Sequence, residues 1–308
     1  MNIVQSLDDL KHSSLVICLG NFDGLHLGHQ QVILRVLQEA RSRGSEPVCV
    51  TFDPHPLWVL RPEHDPFLLM STGQRLHFLE HLGLQTTCVL PFNKALSQKT
   101  AYAFVKDILL AGPPVEAVIV GFNFYFGSGR KGTPEFLTTM LKENQSEAII
   151  LEPFRVEGEV VSSSRIRYLI QVGELDEAKV LLGRPVNIWG KVIPGSSRGT
   201  QLGYPTANLK TEQEILPPYG VYAVEVSWET LTYEGVMNLG YRPTFGDSKE
   251  VAFEVHLFDF SGNLYGQMLS VNVLFKLRNE HKFSSEEELK HQIDKDCSVA
   301  QQYFMRGR

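Results

Sequence analysis

The chain concentrates reactive side chains in two short stretches. In the first, Gly20, Asn21, Phe22, Asp23, Gly24, Leu25, His26, Leu27, Gly28 and His29 follow one another. The glycines allow the backbone to come close to a phosphate. If this stretch leaves a strand and opens a helix near His26, the three-residue spacing sets His26 and His29 on one helix face. Two imidazoles over a helix N-terminus suit stabilisation of negative charge on a transferring phosphoryl group. The second stretch, 190–209, places Gly195, Arg198 and Gly203 in two small-residue turns, followed by Pro205, Thr206, Ala207 and Asn208. Backbone N–H groups of such turns, with an Arg beside them, make a phosphate cradle. Thr206 and Asn208 are two apart, so an extended chain points both oxygens the same way. Oxygen donors of that kind suit Mg²⁺.

The elements around these stretches are of two kinds. Up to about residue 180, apolar runs at 13–20, 47–53, 86–92, 115–122 and 146–154 alternate with helical patterns at 30–44, 75–83, 99–112 and 135–144. Continuous apolar strands alternating with helices predict an α/β unit, a parallel sheet with helices on both faces. The first stretch then lies where a strand hands over to a helix, the place where such sheets bind ligands. From Gly183 the texture changes to short runs of alternating apolar and polar residues at 221–228, 231–240, 251–260 and 269–277. These predict a small antiparallel β-barrel. A last helix is expected over 284–296, capped by Ser284 with Glu287 three residues on. Two domains follow, 1–182 and 183–308.

On these residues the chain resembles the bacterial bifunctional riboflavin kinase/FAD synthetases. The first stretch is similar to their nucleotidyltransferase signature. It is followed in family order by Phe52-Asp53-Pro54-His55-Pro56, by Gly121-Phe122-Asn123-Phe124-Tyr125-Phe126-Gly127, and by Ser162-Ser163-Ser164-Arg165-Ile166-Arg167. Ser164 stands where the family commonly has Thr and keeps the hydroxyl. The second stretch resembles the flavokinase signature ending Pro205-Thr206-Ala207-Asn208, although Thr200 replaces a usual Arg. The resemblance implies a Rossmann-like adenylyltransferase domain followed by a barrel kinase domain, acting on riboflavin, FMN and ATP. It implies that Gly20, Phe22, Asp23, Gly24, His26, His29, Asn123, Ser163, Ser164 and Arg167 serve ATP at the first site. Arg167 would clamp phosphate with its planar fork. At the second site it implies phosphate contacts from Gly195, Arg198, Gly203 and Pro205, Mg²⁺ on Thr206 and Asn208, and Glu254 as general base. Val251, Phe253, Val255 and Leu257 have the opposite parity to Glu254, which fits a solvent-facing strand residue equally well.

Composition narrows the alternatives. The 308 residues are 43% hydrophobic and 21% charged, with a net charge of −6, an ordinary globular profile. Nucleic-acid partners, which reward a basic surface, are not expected. No apolar run reaches the ~18 residues of a membrane helix, and the acidic opening residues predict no secretory leader. A cytoplasmic protein is therefore expected, and its oligomeric state is left open. The four cysteines show no CxxC spacing and are expected as inert thiols. His77-Phe78-Leu79-Glu80-His81 matches H-x-x-E-H, a zinc-peptidase pattern that lacks an identifiable third ligand. Gly127–Thr133 imitates a P-loop, but Lys131 precedes its glycine and the spacing fails. Two other readings stay open: a nucleotidyltransferase for another phosphorylated metabolite, and a flavin-binding sensor with an impaired kinase site.

Overall fold

The structure is a computed structural model that describes residues 1–195, Gly199, 202–242 and 250–307. It divides into two compact units, Met1–Ser163 and Ser164–Arg308.

The first unit is built on six parallel strands: β1 (Asn2–Val4), β2 (Leu15–Leu19), β3 (Glu46–Asp53), β4 (Thr86–Pro91), β5 (Val115–Gly121) and β6 (Glu147–Leu151). Their order in the sheet is β1-β4-β3-β2-β5-β6. Side chains alternate between two cores. Leu15, Ile17, Leu19, Val48, Val50, Val118 and Val120 fill one face, and Val16, Cys18, Cys49, Ala117 and Ile119 the other. Burial on both faces is why the strands read as unbroken apolar runs. Connecting them are α1 (Leu27–Arg43), α2 (Pro56–Leu60), α3 (Thr72–His81), α4 (Lys94–Gln98), α5 (Ala101–Phe104) and α6 (Pro134–Glu143). α1 buries Val32, Ile33, Val36 and Ala40 and stops where Gly44 turns left-handed at φ 67°. The chain moves outward from β2 to β3 on one side and crosses to β5 on the other. The crevice where that order reverses opens at the C-terminal ends of β2 and β5.

Three details depart from the sequence reading. β1 was not expected; three residues are too few for a periodicity, yet Asn2, Ile3 and Val4 pair in register with Thr86, Thr87 and Cys88. The helix expected over 99–112 is a single turn, α5, prolonged by a π-helical turn, Val105–Leu109. Gly112 does more than end it, since a Cβ there would lie 2.4 Å from the Leu7 carbonyl oxygen. β7 (Arg155–Val156) and β8 (Glu159–Val160) form a small hairpin, with Glu157 and Gly158 both at positive φ in its two-residue turn.

The second unit opens with α7 (Ser163–Val172) and α8 (Leu175–Leu182), which Gly183 terminates at φ 71°. Strands β9 (Val186–Ile193), β10 (Ala207–Lys210), β11 (Gly220–Trp228), β12 (Leu231–Arg242), β13 (Glu250–Leu257) and β14 (Met268–Asn279) follow. They close into an antiparallel barrel in the order β10-β13-β12-β11-β14-β9, as expected. Tyr222, Val224, Met237, Leu239, Phe253, Val255 and Leu269 are buried on the inward parity. Gly190 leaves room for Leu209, whose Cβ would be 2.8 Å from a Cβ at 190. On the outer face Val221, Ala223 and Val236 pack against Cys297 and Ala300 of α9 (Glu286–Gly307). The cap of α9 falls one residue later than expected. Ser285 Oγ accepts the Glu288 N–H at 3.1 Å, and the Glu288 carboxylate accepts the Ser284 N–H at 2.8 Å. Ser285 is thus the N-cap, and the Glu288 carboxylate reaches back past it to the N–H and hydroxyl of Ser284.

Candidate active sites

The first site begins where β2 ends. The turn after Leu19 holds Phe22, Gly24 and Leu25 at φ 52°, 83° and 38°. Phe22 folds its ring beneath Gly20, where a Cβ would lie 3.1 Å from it. His26 is the N-cap of α1 and not its first residue: its Nδ1 accepts the His29 N–H at 3.2 Å. An Nδ1 that accepts carries no proton, so the ring's N–H lies at Nε2. The His26 and His29 rings stack with centroids 3.6 Å apart and planes 17° from parallel, and Phe22 meets His29 edge-on. The expected pairing of the two imidazoles on one face is therefore present, with one nitrogen of His26 committed to the helix.

Asp23 is buried, and its carboxylate accepts the N–H groups of Leu69 at 3.1 Å and Met70 at 3.2 Å. Its side chain thus fastens the segment before α3 to the glycine turn. The Ser163 hydroxyl donates to the Asp23 carbonyl at 2.9 Å, so the predicted Ser163 is brought to the same turn. Asn123 is exposed just beyond β5, with Oδ1 3.5 Å from where a Gly121 Cβ would stand. In the second unit Ser164 is exposed and Arg167 half-buried, off the buried stripe of α7 formed by Ile166, Leu169 and Ile170.

Sequence reasoning missed Arg75. It is 2% exposed and donates from Nη1 to the Asn21 carbonyl and from Nη2 to the Phe52 carbonyl, both at 2.8 Å. Nη2 also reaches Thr72 Oγ1, whose hydroxyl donates to Asp53 at 2.5 Å. One guanidinium thereby ties together the C-terminal ends of β2 and β3. Burial pulls its pKa below the ordinary arginine value, opposed by the charges of Asp23 and Asp53. In sequence it reads as a surface residue of an amphipathic helix. His77 and His81, by contrast, gather no third ligand: among the described residues no cluster of three His, Cys, Asp or Glu could hold a metal. Glu80 instead pairs with the Met1 amino group at 2.5 Å.

The second site is a polar row on the outer face of the barrel. Glu254 pairs in register with Asn208 of β10 on one side and with Asn238 of β12 on the other. Residues in register share a face, so Asn208, Glu254 and Asn238 stand side by side, while Phe253 and Val255 point inward. Asn208 is buried and Glu254 half-buried. The glycine loop lies directly on this row. A Cβ at Gly195 would fall 2.0 Å from Asn208 Nδ2, and one at Gly199 would fall 3.1 Å from Thr206 Oγ1. Gly203 turns at φ 95°, and exposed Pro205 offers its carbonyl to His256 Nδ1–H at 2.8 Å. The Tyr204 hydroxyl donates to Asp294 on α9. Arg198 and Thr200 lie outside the described residues. Asn238 and His256 are additions to the expected set; the register that sets Asn238 beside Glu254 is invisible in the sequence, whereas His256 lies two residues along the same strand. Thr206 and Asn208 supply neutral oxygens next to a carboxylate, a donor set that fits a hard cation already carried by phosphates.

Comparison with known proteins matches the chain in two separate parts. A family model described as FAD synthetase matches residues 8–165, and one described as riboflavin kinase matches residues 182–304. The bifunctional riboflavin kinase/FMN adenylyltransferase of Bacillus subtilis is 36% identical over 95% of this chain and 93% of its own. The protein of that name from Buchnera aphidicola is 33% identical over 99% of both chains. A Streptococcus pneumoniae crystal structure described as a macrolide-efflux protein superposes with a TM-score of 0.84 at 33% identity, covering 97% of this chain and 98% of that one. Among the described residues, no helix is long and apolar enough to cross a membrane. Matched along nearly its whole length and in both halves, the chain belongs to the bifunctional riboflavin kinase/FMN adenylyltransferase family.

Proposed function

We propose that the chain phosphorylates riboflavin to FMN at the barrel site and adenylylates FMN to FAD at the first site, releasing pyrophosphate, with ATP consumed in each step. Residues 1–182 would serve the adenylyl transfer and 183–308 the kinase reaction, both in the cytoplasm. The observation that carries this reading is the placement of Glu254 between Asn208 and Asn238 beneath the glycine loop. Riboflavin offers a primary alcohol, a weak nucleophile until a base removes its proton. Glu254 takes that proton as the alcohol oxygen attacks the γ-phosphorus of ATP, forming FMN as the bond to the bridging oxygen breaks and ADP leaves. Thr206 and Asn208 would hold Mg²⁺, which supplies charge neutralisation to the phosphates. Gly195, Gly203 and Pro205 would form the cradle for those phosphates, and Arg198, which lies outside the described residues, is expected to contact them.

FMN needs no such base. Its phosphate has a second pKa of about 6 and is already largely ionised at neutral pH. Attack on the α-phosphorus then calls for positioning and charge stabilisation. The first site has that character. His26 presents Nε2–H beside the stacked His29, the turn from Gly20 to Gly24 brings backbone close, and the N-terminus of α1 favours anions. Asn123, Ser163, Ser164 and Arg167 complete the ATP contacts in this reading, while the backbone of Phe22 and Asp23 shapes the turn.

The test is chromatographic. The purified chain, given riboflavin, ATP and Mg²⁺, yields FMN and then FAD. Glu254→Gln makes no FMN from riboflavin yet still converts supplied FMN to FAD. Loss of both activities in a folded E254Q chain would remove Glu254 from this role.

A further inference from the structure

The short strand β10 must hold Thr206 and Asn208 against Glu254, yet its pairing with β13 covers only Ala207 with Val255 and Asn208 with Glu254. The next antiparallel position would set Thr206 opposite His256. One residue beyond, Pro205 has no N–H and cannot contribute a donor to the ladder. At that point a side chain takes over from the backbone: His256 Nδ1 lies 2.8 Å from the Pro205 carbonyl oxygen. A carbonyl can only accept, so Nδ1 carries the proton. The ring is held in place from both sides. Tyr204 meets it edge-on at 5.5 Å and 80°, and Phe258 at 5.8 Å and 74°. Tyr204 is anchored in turn through its hydroxyl to Asp294. His256 also stands two residues from Glu254 on the same strand, and therefore on the same face.

We infer that His256 is a positioning residue of the barrel site: its Nδ1–H extends the β10–β13 ladder by one hydrogen bond and sets the distance of Thr206 and Asn208 from Glu254. This rests on the kinase reading of that site. It differs from a packing role because only a donor at the Nδ1 position performs it. Asparagine, whose Nδ2 occupies nearly the place of the histidine Nδ1, should substitute. Phenylalanine, which fills the same space without a donor, should not.

The experiment uses the full chain and three proteins: the parent, His256→Phe and His256→Asn. Riboflavin phosphorylation and FAD formation from supplied FMN are measured on each, and amide hydrogen exchange is followed for the segment 203–210. H256F is expected to lose about tenfold in kcat/KM for phosphorylation, the worth of one hydrogen bond. Its FAD formation should be unchanged and its 203–210 segment should exchange faster. H256N should recover most of the kinase activity and the slow exchange. Parental kinase activity in H256F, unaltered exchange in 203–210, or an H256N chain as impaired as H256F would overturn the inference. A parent chain that makes no FMN would instead overturn the kinase reading, while the exchange comparison would still decide whether His256 secures the segment.

Discussion

His26 and His29 divide the labour of one motif. His26 gives its Nδ1 to the first turn of α1 and lies almost flat against His29. Removing His29 therefore leaves the cap acceptor in place but takes away one imidazole, and with it the stacking partner of His26. His29→Ala is expected to lower the rate of FAD formation from FMN by about a hundredfold, the usual cost of one preorganised charge-stabilising group. Riboflavin phosphorylation should persist at the parental rate. An HPLC time course of each reaction checks it, and an H29A chain that makes FAD as fast as the parent would remove His29 from the first site. The sequence named both histidines because their spacing is local. It could not name Arg75, since its partners Asn21 and Phe52 are brought to it by two strands distant in the chain.

Elements explain which parts of each site were legible beforehand. The strand–turn–helix at 15–43 announced itself through apolar periodicity and glycine punctuation, and it stands as read. The polar row of the barrel did not, because Asn208, Glu254 and Asn238 become neighbours only through strand register. The parity of Phe253, Val255 and Leu257 correctly placed Glu254 off the inward face, whereas Val251, of the same parity, is exposed. The glycine loop makes a sharper statement than its composition did. With Asn208 Nδ2 only 2.0 Å from the Cβ position of residue 195, Gly195→Ala must push the loop or the amide aside. Such overpacking typically costs about 1–3 kcal/mol. G195A should therefore lose at least about fivefold in riboflavin phosphorylation with adenylyl transfer intact. Parallel assays of the two reactions on one preparation would test it.

At the scale of the whole molecule, the chain holds two phosphorus chemistries whose intermediate, FMN, is an ordinary soluble product. E254Q retains an intact first site, and H29A retains an intact barrel. E254Q alone should make no FAD from riboflavin and H29A alone should make it only slowly, whereas a mixture of the two should convert riboflavin to FAD much faster than H29A, with FMN passing through solution. FMN accumulation without FAD in the mixture would mean that the first step's product cannot be used in trans. The charge of −6 is compatible with this chemistry because, in the reading proposed above, anion binding would be supplied locally, by a helix N-terminus and turns of backbone N–H groups, and not by the surface as a whole.

The closed barrel carries a consequence for synthesis of the protein. Its first strand, β9, pairs with its last, β14: Lys191 with Met268 and Val186 with Val273. During translation β9 leaves the ribosome long before its partner exists, so the barrel stays open until nearly the end of the chain has emerged. The parallel sheet, complete once β6 has been made, faces no such delay. Pairings so remote in sequence slow folding, and the nascent chain should acquire its adenylyl-transfer fold well ahead of its kinase fold.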